Sequence, residues 1–224
     1  MVSRRIEQMV DEQVRRWEHA KSREKREASG EVSLVTLSRE PGSGGQIIAE
    51  RLAEALGYDM FHQDIVHRMA ESSNVSAQLL QSLDEEGINI IEEWLTGFSQ
   101  HLWPDQYLKQ LIRVIGSIGQ HGRAVVVGRG ANFILPLDYC FRVRVVASRK
   151  SRVRNVARQF DVSREEAERR IVKSESDRSA FIRKYFHADI ADPHNYDLIL
   201  NTDRIGLESC VGVIRAGLER KQHG

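Results

Sequence analysis

The sequence predicts an α/β fold in which a parallel sheet is covered on both faces by helices. Short β-branched runs alternate with stretches of helical period along the chain, the pattern of parallel crossover units. A glycine-rich turn, Pro41-Gly42-Ser43-Gly44-Gly45, lies between the first clear strand and an amphipathic helix. At 224 residues, 41% hydrophobic and 29% charged, the chain has room for one medium domain and at most an appendage.

Taken in order, the first 28 residues read as a helix with Ile6, Met9, Val10, Val14 and Trp17 on one side. This narrow stripe marks residues 1–30 as a charged helical appendage. It either packs on the body or pairs with a second copy, and a homodimer through this helix is the expectation. Val32 to Leu37 forms a short strand suited to a buried parallel position. The helix after the glycine turn, QIIAERLAEALG, is stopped by Gly57 in the C-cap manner.

Residues 64–121 are mostly helical by period, with breaks near Ser73-Asn74, Gly87, Gly97 and Trp103-Pro104. Leu108, Leu111, Ile112, Ile115 and Ile118 give the last of these helices an apolar face. Ala124 to Val127 is a strand ending in a second glycine turn, and Phe141 to Ala147 another strand. Ser148 caps a basic helix. Ser163-Arg164-Glu165-Glu166 has capping-box spacing and opens a long polar helix towards Tyr185. Tyr196 to Thr202 is the last strand, and Leu207 to Arg220 the closing helix.

Composition excludes several classes. No apolar run reaches the roughly 18–20 residues of a membrane span. The N-terminal stretch has no apolar core of the signal-peptide kind, so a cytoplasmic protein is expected. Cys140 and Cys210 are too few for a disulfide framework and read as buried small apolar residues. Charge is uneven: residues 142–184 hold 14 basic and 6 acidic groups, while the chain outside 1–30 and 142–184 holds 11 basic and 20 acidic. Such a segment attracts polyanions such as nucleotides. Its first half lacks interleaved aromatics, so nucleic acid is not the expected partner. His62 and His67 lie five apart, off one helix face, and make no metal pair. Trp94, Phe98 and Trp103 read as core.

The glycine turn is where chemistry is expected. A helix N-terminus reached through glycines presents unpaired N–H groups and the positive end of the helix dipole to an anion. In the Walker-A pattern a Lys meets the β/γ-phosphates and a hydroxyl meets magnesium. Laid on this chain, the pattern puts Arg39 at its first glycine, Gly44 at its second, Gly45 at the lysine and Gln46 at the hydroxyl. The cradle Gly42, Ser43, Gly44, Gly45, Gln46 is present and its two chemical groups are absent. Arg39 is placed to supply the missing charge; read otherwise, it is a surface residue at a strand end. Arg129, between Gly128 and Gly130, follows a strand at the carboxyl edge where open α/β sheets bind ligands.

SREPGSGGQIIAERLAEALG, VVVGRGANFIL, FRVRVVASRKSRVRNVARQF, DRSAFIRKYF and DPHNYDLILNTD resemble, in that order, the bacterial cytidylate kinase-like family of P-loop nucleoside monophosphate kinases. The resemblance spans roughly 32–220. It implies a P-loop NTPase-type three-layer fold over 31–222, with helical monophosphate-binding and lid regions, the lid at about 149–192. It also implies an ATP-dependent kinase, magnesium arriving with the nucleotide, and CMP or dCMP as acceptor. Arg129 is then a contact to the nucleoside monophosphate, although the Gly-Arg-Asp turn of cytidylate kinases proper has Gly130 in place of its acid. Arg152 is implied to stand against the nucleotide base, and Arg178 and Arg183 to clamp phosphates with forked guanidinium groups. Asp64 and Arg68 begin the monophosphate-binding segment; Asp64 is equally readable as the N-cap of a helix starting at Ile65. Loss of the Lys and the hydroxyl leaves an alternative, a nucleotide-binding regulatory module with little or no catalysis.

Overall fold

The computed structural model describes residues 2–24, 33–101 and 105–222. These fall into two compact units, one drawn from Met1–Glu31 and Phe61–Gly122, the other from Val32–Met60 and Arg123–Gly224.

The first unit is helical: α1 (Val2–Glu24), α3 (Gln63–Glu71), α4 (Ser73–Gln81), α5 (Glu85–His101) and α6 (Gln106–His121). Part of the stripe read from the sequence of α1 is covered inside this unit: Ile6, Val10 and Trp17 are buried while Met9 is exposed, and Trp17 stacks on His121 with ring centroids 3.9 Å apart. The expected end of this helix near Ser29-Gly30, and Trp103-Pro104, lie outside the described residues. The α6 core face is as expected, with Leu108, Leu111, Ile112, Ile115 and Ile118 buried and Asp105 capping the helix through Leu108 N–H at 2.9 Å. The break expected near Gly97 is not there, and the one expected near Gly87 falls a few residues earlier; both glycines lie within α5. The chain breaks instead before Glu85, where Asp84 Oδ1 accepts from Gly87 N–H at 2.9 Å and so starts the helix.

The second unit is built on β1 (Leu34–Arg39), β3 (Ala124–Val127), β4 (Phe141–Val146) and β5 (Leu198–Asn201), to which β2 (Asp59–Phe61), a three-residue strand unforeseen in the sequence, adds an edge. The order is β2-β3-β1-β4-β5, with β1 parallel to both β3 and β4. The first strand runs two residues beyond the expected Leu37, because Ser38 and Arg39 still pair with Arg144 and Val145. At the other end Tyr196 precedes β5 and is anchored by its hydroxyl, which donates to Ile190 O at 2.7 Å.

One sheet face, Val35, Leu37, Val143 and Val145, packs on Ile48 and Leu52 of α2 (Gly45–Leu56) and on Ile214 and Leu218 of α10 (Leu207–Gln222). Gly57, at φ 64°, closes α2 in the left-handed cap that a side chain adopts only with strain. After β4, α8 (Arg149–Phe160) and α9 (Arg164–Phe186) form a hairpin, with Val153 and Val156 packed on Ala167 and Ile171. Because β3 and β4 flank β1 on opposite sides, their carboxyl ends diverge around it, the switch point where open sheets bind ligands.

Candidate active site

At that switch point β1 runs into the glycine turn. Gly42 and Gly44 have φ of 79° and 82°, left-handed values that other residues rarely adopt. A Cβ on Gly42 would stand 2.6 Å from the carbonyl oxygen of Arg152, so α8 lies directly against the turn. The turn's own carbonyls are drawn outward: Asn155 Nδ2 donates to Gly42 O and Thr202 Oγ1 to Ser43 O, each at 2.8 Å. Ser43 is buried, and its hydroxyl donates to Glu40 O at 2.8 Å. The N–H groups of the first turn of α2 have no partner within the helix and face an anion-sized cradle.

Gly45, at the position of the Walker lysine, has a steric explanation. A Cβ there would lie 2.6 Å from Arg39 Cβ and 3.3 Å from Val145 Cβ. Arg39 therefore crosses the space a side chain at position 45 would fill. Its main-chain oxygen accepts from Arg178 Nη1 of α9 at 2.7 Å.

Arg39, Arg170 and Arg178 line a cavity of about 450 Å³ together with Gly42, Gly44 and Gly45. Three arginines and a helix N-terminus give this cavity a cationic lining.

Glu40 would oppose an anion there, but its carboxylate is turned aside. It accepts from Ala147 N–H at 3.0 Å and lies 3.3 Å from Arg152 Nε. Arg152 is 7% exposed, donates to Ala147 O at 3.0 Å, and pairs with Glu175 of α9. Sequence reasoning put Arg152 against a nucleotide base; the structure instead commits its guanidinium to Glu40, Ala147 and Glu175. The exposed arginines of α8 are Arg154 and Arg158. Beside the same helix, hydrogen bonds from Ser148 and Ser151 hold the Asp203 carboxyl down at about 2.

The other expected residues are spread. Arg129 has φ 52° between two left-handed glycines, and its guanidinium lies 5.7 Å from the centre of the Phe181 ring. Gly130 is compulsory for the same reason as Gly45: a Cβ there would stand 2.3 Å from Phe186 Cε2. Arg183 is exposed, five residues beyond Arg178 and so about 140° further round α9; it does not line the cavity.

Asp64 and Arg68 are exposed, four apart on α3 in the helical unit. Asp64 is not the N-cap; that position belongs to His62, and Asp64 is the second helical residue. Trp94 and Phe98 are half-buried on α5, while Trp103 lies outside the described residues. Both cysteines are buried, and burial pushes the Cys140 thiol up to about 11.

The cradle fits the phosphates of a nucleotide better than it fits a resident metal. Gln46, at the hydroxyl position, donates its amide to Glu50 Oε1 at 3.0 Å, and the Ser43 hydroxyl is used by Glu40 O. Among the described residues no three His, Cys, Asp or Glu side chains are grouped to hold an ion. Asn155, Thr202, Glu175 and Arg170 escaped the sequence reading. The only signal they carry is their place in a cationic segment, or just after a strand.

Residues 34–204 match the model of the cytidylate kinase-like family. Over 172 residues the chain is 27% identical to a cytidylate kinase of Methanothrix thermoacetophila, covering 76% of this chain and 89% of that protein. It is 24% identical over 185 residues to a cytidylate kinase of Ignicoccus hospitalis, covering 82% and 98%. The fold is also similar to the crystal structure of an uncharacterized protein from Eubacterium ventriosum, with a TM-score of 0.64 at 15% identity, covering 83% of this chain and 98% of that one.

Proposed function

We propose that this protein, which belongs to the cytidylate kinase-like family, moves the γ-phosphoryl group of ATP onto a nucleoside monophosphate, CMP or dCMP. Its nucleotide kinase-like character rests on the family; donor and acceptor are our reading. The observation that carries it is the Arg39 side chain packed over bare Gly45, at the place of the Walker lysine.

In this reading the ATP phosphates lie on the N–H groups of residues 42–46, and α8 and α9 act as the lid. An acceptor phosphate oxygen attacks the γ-phosphorus as the bridging oxygen leaves with ADP, with no covalent intermediate on the protein. Such transfer depends on positioning and on neutralising charge. Arg39 and Arg178 supply that charge beside the turn, and Arg178 also fixes Arg39 by its bond to the main-chain oxygen. Arg129 and Arg183 are proposed as further phosphate contacts, and Asp64 and Arg68 as acceptor contacts, on the family resemblance. Magnesium would enter with the nucleotide as part of the substrate and would supply neutralising charge to its phosphates.

The test is ADP release from ATP and magnesium across a panel of nucleoside monophosphates. We expect CMP or dCMP to exceed the other acceptors, and Arg39→Ala to lower kcat by about 10²–10³ while nucleotide binding persists, the usual effect of removing one charge-stabilising donor. CMP-dependent ADP release no higher than in Arg129→Ala would overturn the kinase reading. Stabilisation by ATP without turnover would select the second reading, a regulatory nucleotide-binding module, which the engagement of Gln46 with Glu50 favours.

A further inference from the structure

We infer that Arg144, a buried arginine that no carboxylate neutralises, lends its charge to the glycine turn from the far face of the sheet. The inference rests on the reading of that turn as a phosphate cradle, and gives it a source of charge that does not touch the ligand.

Arg144 lies within β4 and is 7% exposed. Side chains alternate along a strand, so it leaves the sheet on the face opposite Val143 and Val145. There its Nη1 donates to Ser38 Oγ at 3.1 Å and to Tyr196 Oη at 3.4 Å, and its guanidinium carbon stands 5.4 Å from the centre of the Tyr196 ring. These partners are neutral. Arg142, two residues earlier, pairs with Asp197 at 2.9 Å, and the buried Arg152 with Glu40 and Glu175. Among the described residues Arg144 meets no carboxylate. A full positive charge is thus kept from water without a counter-charge, an arrangement that costs stability.

The register puts that charge beside the glycine turn. Arg144 pairs with Ser38 and Val145 with Arg39, the last two residues of β1. Arg39 packs over Gly45 and Val145 on one face of the sheet, while Arg144 reaches Ser38 on the other. The two cations therefore flank the strand end from which the turn leaves. Arg144 makes no hydrogen bond to residues 40–46, so it acts on an anion there through its field. Burial strengthens that field, because water close to a charge screens it and protein does so far less.

Neither hydroxyl depends on Arg144 for a partner. Tyr196 Oη donates to Ile190 O at 2.7 Å and lies 3.4 Å from Ser38 Oγ, so both remain bonded without the guanidinium. An apolar side chain of similar length at position 144 then removes an uncompensated buried charge and strands no polar group. Such a replacement is neutral or stabilising for the fold. A residue retained there for the fold would show the opposite.

The experiment titrates the full chain by calorimetry with inorganic phosphate, diphosphate and triphosphate, without magnesium and at fixed ionic strength, alongside thermal melts. Across a separation on the order of 10 Å, at an effective dielectric of about 20 and with salt present, one unit charge changes the affinity of a singly charged anion by roughly threefold. The factor grows with each further charge on the anion. Arg144→Met is therefore expected to melt no lower than the wild type, and to weaken phosphate by about fivefold and triphosphate by more than about tenfold. Arg144→Gln, neutral but still able to bond Ser38 Oγ, should show the same graded loss. An Arg144→Met protein that melts well below the wild type assigns the residue to the fold and overturns the inference. Equal weakening of the three probes, weakening of none, or wild-type affinities in Arg144→Gln also overturn it and leave the cradle standing. Wild-type protein that binds none of the probes removes the cradle and the inference together.

Discussion

Restoring a lysine at position 45 tests whether Arg39 has taken that lysine's place. A Cβ at residue 45 would lie 2.6 Å from Arg39 Cβ, 3.1 Å from its Cγ and 3.3 Å from Val145 Cβ. Carbon atoms meet comfortably at about 3.5–4.0 Å, so the closest of these falls short by about 1 Å. The Arg39 Cβ cannot swing aside, because the peptide group that follows it is held at both its carbonyl and its N–H. Arg178 holds its carbonyl at 2.7 Å, and the next N–H, of Glu40, bonds Val145 O at 3.0 Å. Overpacking of this kind costs about 1–3 kcal/mol. In a chain of this size each kcal/mol shifts Tm by about 2–4 °C, so Gly45→Lys should melt roughly 4–8 °C lower for a mid-range cost. Arg39→Ala in the same chain should not relieve it, since the clashing Cβ remains. Arg39→Gly should, and thermal melts of the single and double variants then give a favourable coupling of about 1 kcal/mol or more. Turnover should fall in each single variant and return in part in Arg39→Gly/Gly45→Lys. A Gly45→Lys protein as stable as the wild type, or an Arg39→Gly/Gly45→Lys protein with no more turnover than Arg39→Gly alone, would refute the exchange.

Gly130→Ala combines a left-handed φ of 69° with a Cβ 2.3 Å from Phe186 Cε2; we expect a loss of about 2–4 kcal/mol in denaturant titrations. Phe186→Ala should recover the steric part of that loss, and strict additivity of the two changes would contradict the contact. Arg152→Met breaks a buried ion-pair set while Arg154→Met touches an exposed side chain, so only the former should be costly, by about 3–5 kcal/mol. Equal effects would place Arg152 on the surface after all. For Asp203 the bonded form is the ionised one, so its contribution is complete above the ordinary carboxyl value of 3.8 and is lost as pH falls through about 2. Carboxyl titration by NMR with a midpoint near 3.8 would show that the bonds from Ser148 and Ser151 do not form.

What could be read from the sequence was whatever is encoded within one or two turns of chain. The helix caps at Ser148 and Ser163, the apolar stripe of α6 and the strand–turn–helix around Gly42–Gly45 depend on neighbours in sequence. The surroundings of residues set by distant partners were not legible. Arg152 sits in a run of basic residues, and its charge alone says surface; its burial follows from the neighbouring Val153 and Val156, which turn the same side of α8 towards the turn and α9. Gly87 and Gly97 look like helix breakers, yet Asp84 caps the helix that contains them. β2 is too short to show a period, and main-chain bonding such as Asp59 N–H to Arg123 O at 2.9 Å ties it in. The stripe on α1 was legible, but not that its Trp17 would stack on His121.

The departures of the turn from the Walker-A pattern belong together. In the proposed reading, the cation moves from the first residue of α2 to the end of β1 and comes over the turn from the strand side. The crossing side chain then needs a glycine beneath it at position 45. Gln46, at the hydroxyl position, pairs with Glu50 one turn along. Arginine also tolerates what lysine would not: it keeps its charge when crowded against other cations, here Arg170 and Arg178 around one cavity. The acid that interrupts the turn, Glu40, is compatible with a phosphate ligand only because Arg152 and Ala147 N–H take its carboxylate away from the cradle. Since Arg152 also pairs with Glu175, the neutralisation of the turn is tied to the position of α9, the helix that delivers Arg178. A turn that looks stripped of its catalytic groups position by position is, taken as a set of contacts, a cationic site whose charge comes from the strand and the second hairpin helix.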